Sequence, residues 1–544
     1  MTSATGILIM AVWFGHSHHA HLSPPSATGS VVSAHVLQDI SAAEQAARER
    51  FIDALRLAEQ GRLDEALEAA VEALSLDDNN ADGLNLIGQL YEQMDRGSEA
   101  EQAYRGASKA DPDWSTPYRN LGSLYVARSQ PSLALAPLTR AADLAPDDPL
   151  AHALLASVLR ATGRPREAVA TFRRAWELDP DSVQLAIDIA MTQMEAGDHP
   201  GAIATAEQAT DRAPESPLAA RLLARTLNAS ELVDDLVRAP AAYRRAIGLD
   251  PGRGDLWLGL GAAYDQLALR AQAEEAYRRA IELGLDTPQV RYELGRILSR
   301  QSQFASALEQ YAHAIATDAN FAPAYYARGE ALFELNRAEE ALADFEHAIR
   351  MSPGDPDPVL AAVQVYMVRG ALESSERLLS DIASTATRRR PEIAVAIGRL
   401  RLRQDRNEEV VEVLAPVLDD ASELIEARYL SGQALLKLGR IDEGRAMLSE
   451  YQRLFNAERG REVELLRVGI MGRAQIYVLR GRVYAHEGRF KLALEQLQSA
   501  AELAPDNPEV WQALAELHDG RGDSQAAAEA RQRAKALRDA GGPS

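Results

Sequence analysis

Four histidines stand within six residues near the start of the chain, His16, His18, His19 and His21, and they are its one metal-like grouping. Imidazoles that close together can hold zinc, nickel or copper loosely. They lie in a Ser/Pro/Gly/His-rich stretch with no second shell to orient the rings, so they are read as a tail and not as a metal site. None of the 544 residues is cysteine, which removes disulfides, thiolate catalysis and Cys-based zinc sites together. There is no G-x-x-x-x-G-K-[ST] phosphate loop, no G-x-G-x-x-G after a strand, no G-x-S-x-G elbow and no H-E-x-x-H pair. Carboxylates are plentiful, but they fall on faces that the periodicity assigns to solvent, so paired acid–base work has no support. The expectation is a chain with no catalytic residue, no cofactor and no metal.

The elements behind those faces follow from spacing. Composition is ordinary for a globular protein, with 46% hydrophobic and 25% charged residues. Acidic residues outnumber basic ones by 80 to 58, a net charge of −22 that keeps a long array soluble and disfavours nucleic-acid partners. Near the middle, Trp257, Leu260, Gly261 and Tyr264 recur at i, i+3, i+4 and i+7, the apolar stripe of one helix. Ala273, Tyr277 and Ala280 form the stripe of a second. Small residues at the crossing let two backbones approach, and the aromatics fill the space beside them. A helix pair of this size cannot bury its stripes alone and must stack on copies of itself.

The copies are present. From Ala47 the pattern recurs every 34 residues, so the chain from Gly254 to Thr287 resembles a unit of the tetratricopeptide repeat family, W-x2-L-G-x2-Y…A-x3-aromatic…A, with Leu285 where that family carries proline. About fourteen units extend to Arg538. The resemblance implies an all-α, right-handed α-solenoid, a superhelix of helix–turn–helix repeats with no sheet. Residues 1–46 stand apart as a signal-like or disordered segment, with an apolar run from Ile7 to Phe14 that is too short to span a bilayer. Units one to twelve occupy 47–458, a helical insertion occupies 459–473 through Leu465, Leu466 and Ile470, and units thirteen and fourteen with a capping helix occupy 474–544. The sixth unit carries three extra residues between Glu231 and Arg238, and in the tenth Ser375 replaces the expected alanine. The two insertions are expected to be the weakest joints.

An array without a catalytic constellation is a recognition surface. The expected function is a noncatalytic scaffold or adaptor that binds a protein or peptide segment in its groove. The alternative is an accessory or targeting subunit of an enzyme complex, such as a glycosyltransferase or an envelope-assembly system, with the chemistry on another chain. By the resemblance, the first helix of each unit faces the groove through unit positions 2, 5, 9, 12 and 13. The asparagine ladder and the carboxylate clamp of some family members are not reproduced by Asn85, Gln89, Arg119 and Asn120. Arg296 and Arg300 are expected to pair with Glu330 and Glu334, which hold the same positions one unit later. Arg399, Arg403, Lys437, Arg482 and His486 then read as a basic strip for an acidic partner, and Arg221 and Arg225 are further candidate contacts. The opposing reading is a solvated face neutralised by carboxylates such as Glu426. No integral membrane span is expected. The apolar run and the missing cysteines suggest a periplasmic or otherwise exported protein, with the cytoplasm as the alternative.

Overall fold

Many of the helices begin where the sequence supplies a cap or a proline. Asn80, Asp148, Ser182, Asp198, Ser216, Thr287 and Asn507 accept from backbone N–H groups of the turn that follows them, a contribution of about 1 kcal/mol each. Proline occupies the first turn of many others, where its missing N–H costs nothing. The computed structural model describes residues 42–76, 80–382, 390–420 and 425–540. The segment before Ala42, with its histidines and apolar run, lies outside them.

The described residues form helices and no strand, in two compact units that divide after Pro214. The first unit holds ten helices: α1 (Ala42–Glu59), α2 (Leu63–Leu76), α3 (Ala81–Gln93), α4 (Gly97–Ala110), α5 (Ser115–Ala127), α6 (Pro131–Leu144), α7 (Pro149–Ala161), α8 (Pro165–Leu178), α9 (Val183–Glu195) and α10 (His199–Arg212). The second begins with α11 (Pro217–Asn228), α12 (Val233–Leu249), α13 (Gly254–Gln266), α14 (Arg270–Glu282), α15 (Pro288–Arg300), α16 (Phe304–Thr317), α17 (Ala322–Glu334) and α18 (Ala338–Met351). It continues with α19 (Pro356–Val368), α20 (Leu372–Ile382), α21 (Pro391–Arg403), α22 (Asn407–Asp420), α23 (Ile425–Lys437), α24 (Ile441–His486), α25 (Phe490–Leu503), α26 (Pro508–Gly520) and α27 (Ser524–Ala540). Within each unit consecutive helices pair as antiparallel hairpins, and each hairpin packs on the next.

One column of the sequence explains the stacking. Ala66, Ala100, Ala134, Ala168, Ala202, Ala273, Ala307 and Ala341 are each 34 residues, or a multiple of 34 with the sixth-hairpin insertion, from one another, and all are fully buried. A larger side chain at that point would hold neighbouring helices apart. Ser375 fills the same slot in the tenth hairpin, also fully buried, and its hydroxyl donates to the Ala371 carbonyl at 3.4 Å, which satisfies the one polar atom it introduces. The departure at Leu285 has a similar reason. Gly284 takes φ +88°, and the Leu285 N–H donates to the Ala280 carbonyl at 3.0 Å to close α14. Proline has no N–H to give.

Two departures from the repeat change the architecture of the second unit. The three extra residues of the sixth hairpin lengthen α12 to 17 residues, and the Ser230 hydroxyl donates to Asp235 at 2.7 Å at its start. The fifteen residues 459–473 do not separate two hairpins. The second helix of hairpin twelve, those residues and the first helix of hairpin thirteen run on as α24, 46 residues and about 69 Å long. The side chains of Leu465, Leu466 and Ile470 lie outside the described residues. The end of α24 packs against α12, so the thirteenth hairpin touches the sixth and seventh. There the Glu487 carboxylate, its side chain fully covered, accepts from the Tyr264 hydroxyl and from Arg244 Nε at 2.9 Å. Gln272 donates to the Tyr484 hydroxyl beside it.

Candidate functional site

The expected groove positions come together over hairpins nine to twelve. A cavity of about 460 Å³ is lined by Tyr326 and Glu330 of α17, Leu360, Val363 and Met367 of α19, Val395 and Arg399 of α21 and Glu426 of α23, with Asp357 and Glu392 at its edge. Every one of these helices is the first of its hairpin. Ala361 and Ala396, one position after Leu360 and Val395, keep the floor low enough to form a depression.

The basic strip does not form. Arg399 donates through Nε and Nη2 to Glu426 at 2.9 and 2.5 Å. Lys437 meets Asp405 at 2.9 Å, and Arg403 gives Nη1 to the Met367 carbonyl at 2.6 Å. Arg482 lies 3.4 Å from Asp234 and 3.5 Å from Glu516. Arg482 is also about 60 Å along α24 from Ile441, so it and His486 are far from Lys437 and cannot continue a strip with it. Arg221 approaches Asp255 at 3.6 Å, while Arg225 is exposed and makes no ion pair among the described residues. With Arg399, Lys437 and Arg482 each beside a carboxylate, the strip offers less surplus positive field to draw an acidic partner than its sequence suggests.

The expected ladder also pairs differently. Arg300 bonds Asp265 of the preceding hairpin at 2.6 Å, and Arg296 bonds Glu293 on its own helix at 2.6 Å with Asp265 at 4.0 Å. Long guanidinium side chains reach diagonally across adjoining helices, which a comparison of equal unit positions overlooks. In the first unit Asn120 donates to Asn85 at 3.0 Å and Arg119 pairs with Asp148 at 2.6 Å, so these polar groove residues satisfy one another.

Profiles described as tetratricopeptide repeat match residues 57–125, 119–183, 159–226, 254–283, 292–356, 332–400 and 474–517, which together exceed half of the chain. The chain belongs to the tetratricopeptide repeat family. No curated protein matches it. Similar solved structures include YrrB, a tetratricopeptide repeat protein with an unusual peptide-binding site, at 26% identity over 33% of this chain and 97% of that one, TM-score 0.30. The structure of Naa15/Naa10 bound to HypK-THB matches at 17% identity over 91% of this chain and 89% of that one, TM-score 0.31. Yeast Tom70 matches at 12% identity over 77% and 99%, TM-score 0.35.

A tetratricopeptide array of this kind is a protein-interaction scaffold. Among the described residues no group of His, Asp and Glu is placed to hold a metal ion, and no helix is long and apolar enough to cross a membrane. The contact between α12 and α24 was not legible from the repeat pattern, since each of its partners is ordinary within its own unit.

That contact carries a pH dependence. Partial loss of solvent around the His486 ring, which stays exposed, lowers its pKa, helped by Arg238 of α12 and Arg482 of its own helix and opposed by Glu516 of α26 and Asp234 of α12. A histidine with a lowered folded pKa binds its proton more readily when unfolded. Its contribution is therefore present above the unfolded value of about 6.5 and is lost as the pH falls towards the lowered folded value. The denaturant midpoint should drop between pH 7.5 and 5.5, and His486→Gln should shrink that drop. An unchanged pH response in the variant would show that other groups set it.

Proposed function

We propose that this protein is a noncatalytic adaptor that holds an extended segment of a protein partner against the first helices of hairpins nine to twelve. One observation supports the reading: side chains from four consecutive first helices, at the unit positions expected to face a groove, converge on one cavity with an apolar floor. Extended segments suit such a surface, because a concave run of parallel helices contacts successive residues with little ordering of its own.

A photo-crosslinking amino acid placed at Gln364, inside the cavity, should capture a discrete partner in the native cell. The same group at Glu373, on the second helix α20, should not. Equal capture from both positions, or capture from Glu373 alone, would overturn the reading. We also propose that the residues ahead of the repeats act as an export signal or tether, on the strength of the Ile7–Phe14 run and the absence of cysteine. Native protein that retains Met1 or Thr2 in a cytosolic fraction would refute that.

A further inference from the structure

The cavity over hairpins nine to twelve is acidic, and we infer that the segment it takes is basic, with apolar residues between its cations. This rests on the adaptor reading above and adds the chemistry of the partner. Four carboxylates surround the floor, Glu330, Asp357, Glu392 and Glu426, against one guanidinium, Arg399. Arg399 is committed to Glu426. The side chains of Glu330, Asp357 and Glu392 have no cationic partner among the described residues; Glu330 accepts from the Tyr326 hydroxyl at 3.0 Å. Asp148, Asp255 and Asp265, by contrast, each hold an arginine.

The uncompensated charges are set against one another. Partial loss of solvent around the Glu330 carboxylate, which stays exposed, raises its pKa, and Asp357 and Glu334 raise it further, against the hydrogen bond from Tyr326. A cation placed between Glu330 and Asp357 would relieve that repulsion, and the apolar floor of Leu360, Val363, Met367 and Val395 lowers the local polarity in which it would act. Asp357, Glu392 and Glu426 fall at the second position of three successive first helices, which touch one another. Neighbouring helices lie roughly 10 Å apart, and a polyproline II segment advances roughly 3.1 Å per residue with three residues per turn, so cations three residues apart share one face and would meet successive carboxylates.

The test uses the full chain and three fluorescein-labelled 12-residue peptides with one apolar pattern, carrying lysine, glutamine or glutamate at every third position. Anisotropy titrations should show the lysine peptide binding at least tenfold more tightly than the glutamine peptide, and the glutamate peptide failing to saturate. The lysine advantage should fall severalfold between 50 and 200 mM NaCl. The triple variant Glu330→Gln, Asp357→Asn, Glu392→Gln should lose the advantage, so that it binds the lysine and glutamine peptides alike. If the lysine peptide binds the triple variant as tightly as the parent, the attraction comes from the chain's overall charge and the inference fails. If lysine and glutamine peptides bind equally and Leu360→Ser weakens both, the groove reading stands and the basic specificity falls. If no peptide binds, both fall.

Discussion

Gly261→Ala is expected to destabilise the seventh hairpin by about 1–2 kcal/mol, although alanine is the better helix former. A Cβ at Gly261 would lie 2.6 and 2.7 Å from Cε1 and Cδ1 of Tyr277, whose ring is buried between α13 and α14. The ring cannot move away without losing its own contacts. Tyr277→Ala should cost more, about 3–5 kcal/mol, because it empties a site that is 1% exposed. The informative variant carries both changes. With the ring gone the three nearest contacts of the new methyl are gone too, the helix propensity gain of about 1 kcal/mol is uncovered, and Gly261→Ala should become stabilising in the Tyr277→Ala background. Hydrogen exchange of α13 and α14 would read the effect where it arises, since repeats open locally. If Gly261→Ala costs the same in both backgrounds, close approach to Tyr277 is not the reason for glycine there.

The same contact recurs at Gly88 with Tyr104, Gly295 with Tyr311 and Gly329 with Phe345, and it is why the fold was legible. A 34-residue period in small and aromatic residues reports which atoms must touch, and those contacts are local within a hairpin or between neighbours. The hairpin turns were less visible. One residue in most of these turns adopts positive φ, and beside the glycines it is Asp95, Ser129, Ala268, Ser302, Asn336 or Asp405, so residue type gives a weak signal. Continuity of α24 was missed for a physical reason as well. No proline lies between Ile441 and His486, and the boundary drawn at 458 rested on counting by 34 where nothing in the chain stops a helix.

Charge was the least legible property of the candidate site. Tyr326, Glu330, Leu360, Met367, Val395 and Arg399 of the cavity stand at unit positions that the family resemblance assigns to a groove. Which arginine meets which carboxylate depends on rotamers and on reach across helices, as Arg399 with Glu426 and Arg300 with Asp265 show. A sequence reading that compares like positions finds unpaired arginines where the structure has pairs. It also overlooks the opposite case, carboxylates such as Glu330 and Asp357 that have no cation beside them.

Glu487→Ala is expected to release the end of α24 from α12, at a cost of about 1–3 kcal/mol for losing charged hydrogen bonds at a covered site. The carboxylate accepts from Tyr264 and Arg244 on the other side of the contact, and Arg489 reaches it from its own side at 3.3 Å. Arg244 keeps some solvent access and donates to the Tyr264 hydroxyl at 2.9 Å, so those two groups have an alternative once the carboxylate is gone. That limits the loss below the full cost of stranding a buried ion. The contact joins the two places where the chain departs from its 34-residue period. The extra turn of α12 supplies Asp234 to Arg482, and the fifteen added residues carry the end of α24 to meet it. A structural joint built from two insertions should therefore open as one element when its covered carboxylate is removed. The absence of cysteine lets a fluorophore pair be placed on α12 and α25 without background labelling. Transfer efficiency should fall in Glu487→Ala, and amide protection should drop together in α12 and the last turns of α24, while α5 and α6 keep theirs. Glu487→Gln, which retains an acceptor, should fall between the two. Unchanged transfer efficiency and protection in the alanine variant would show that packing, and not this carboxylate, holds the two helices together.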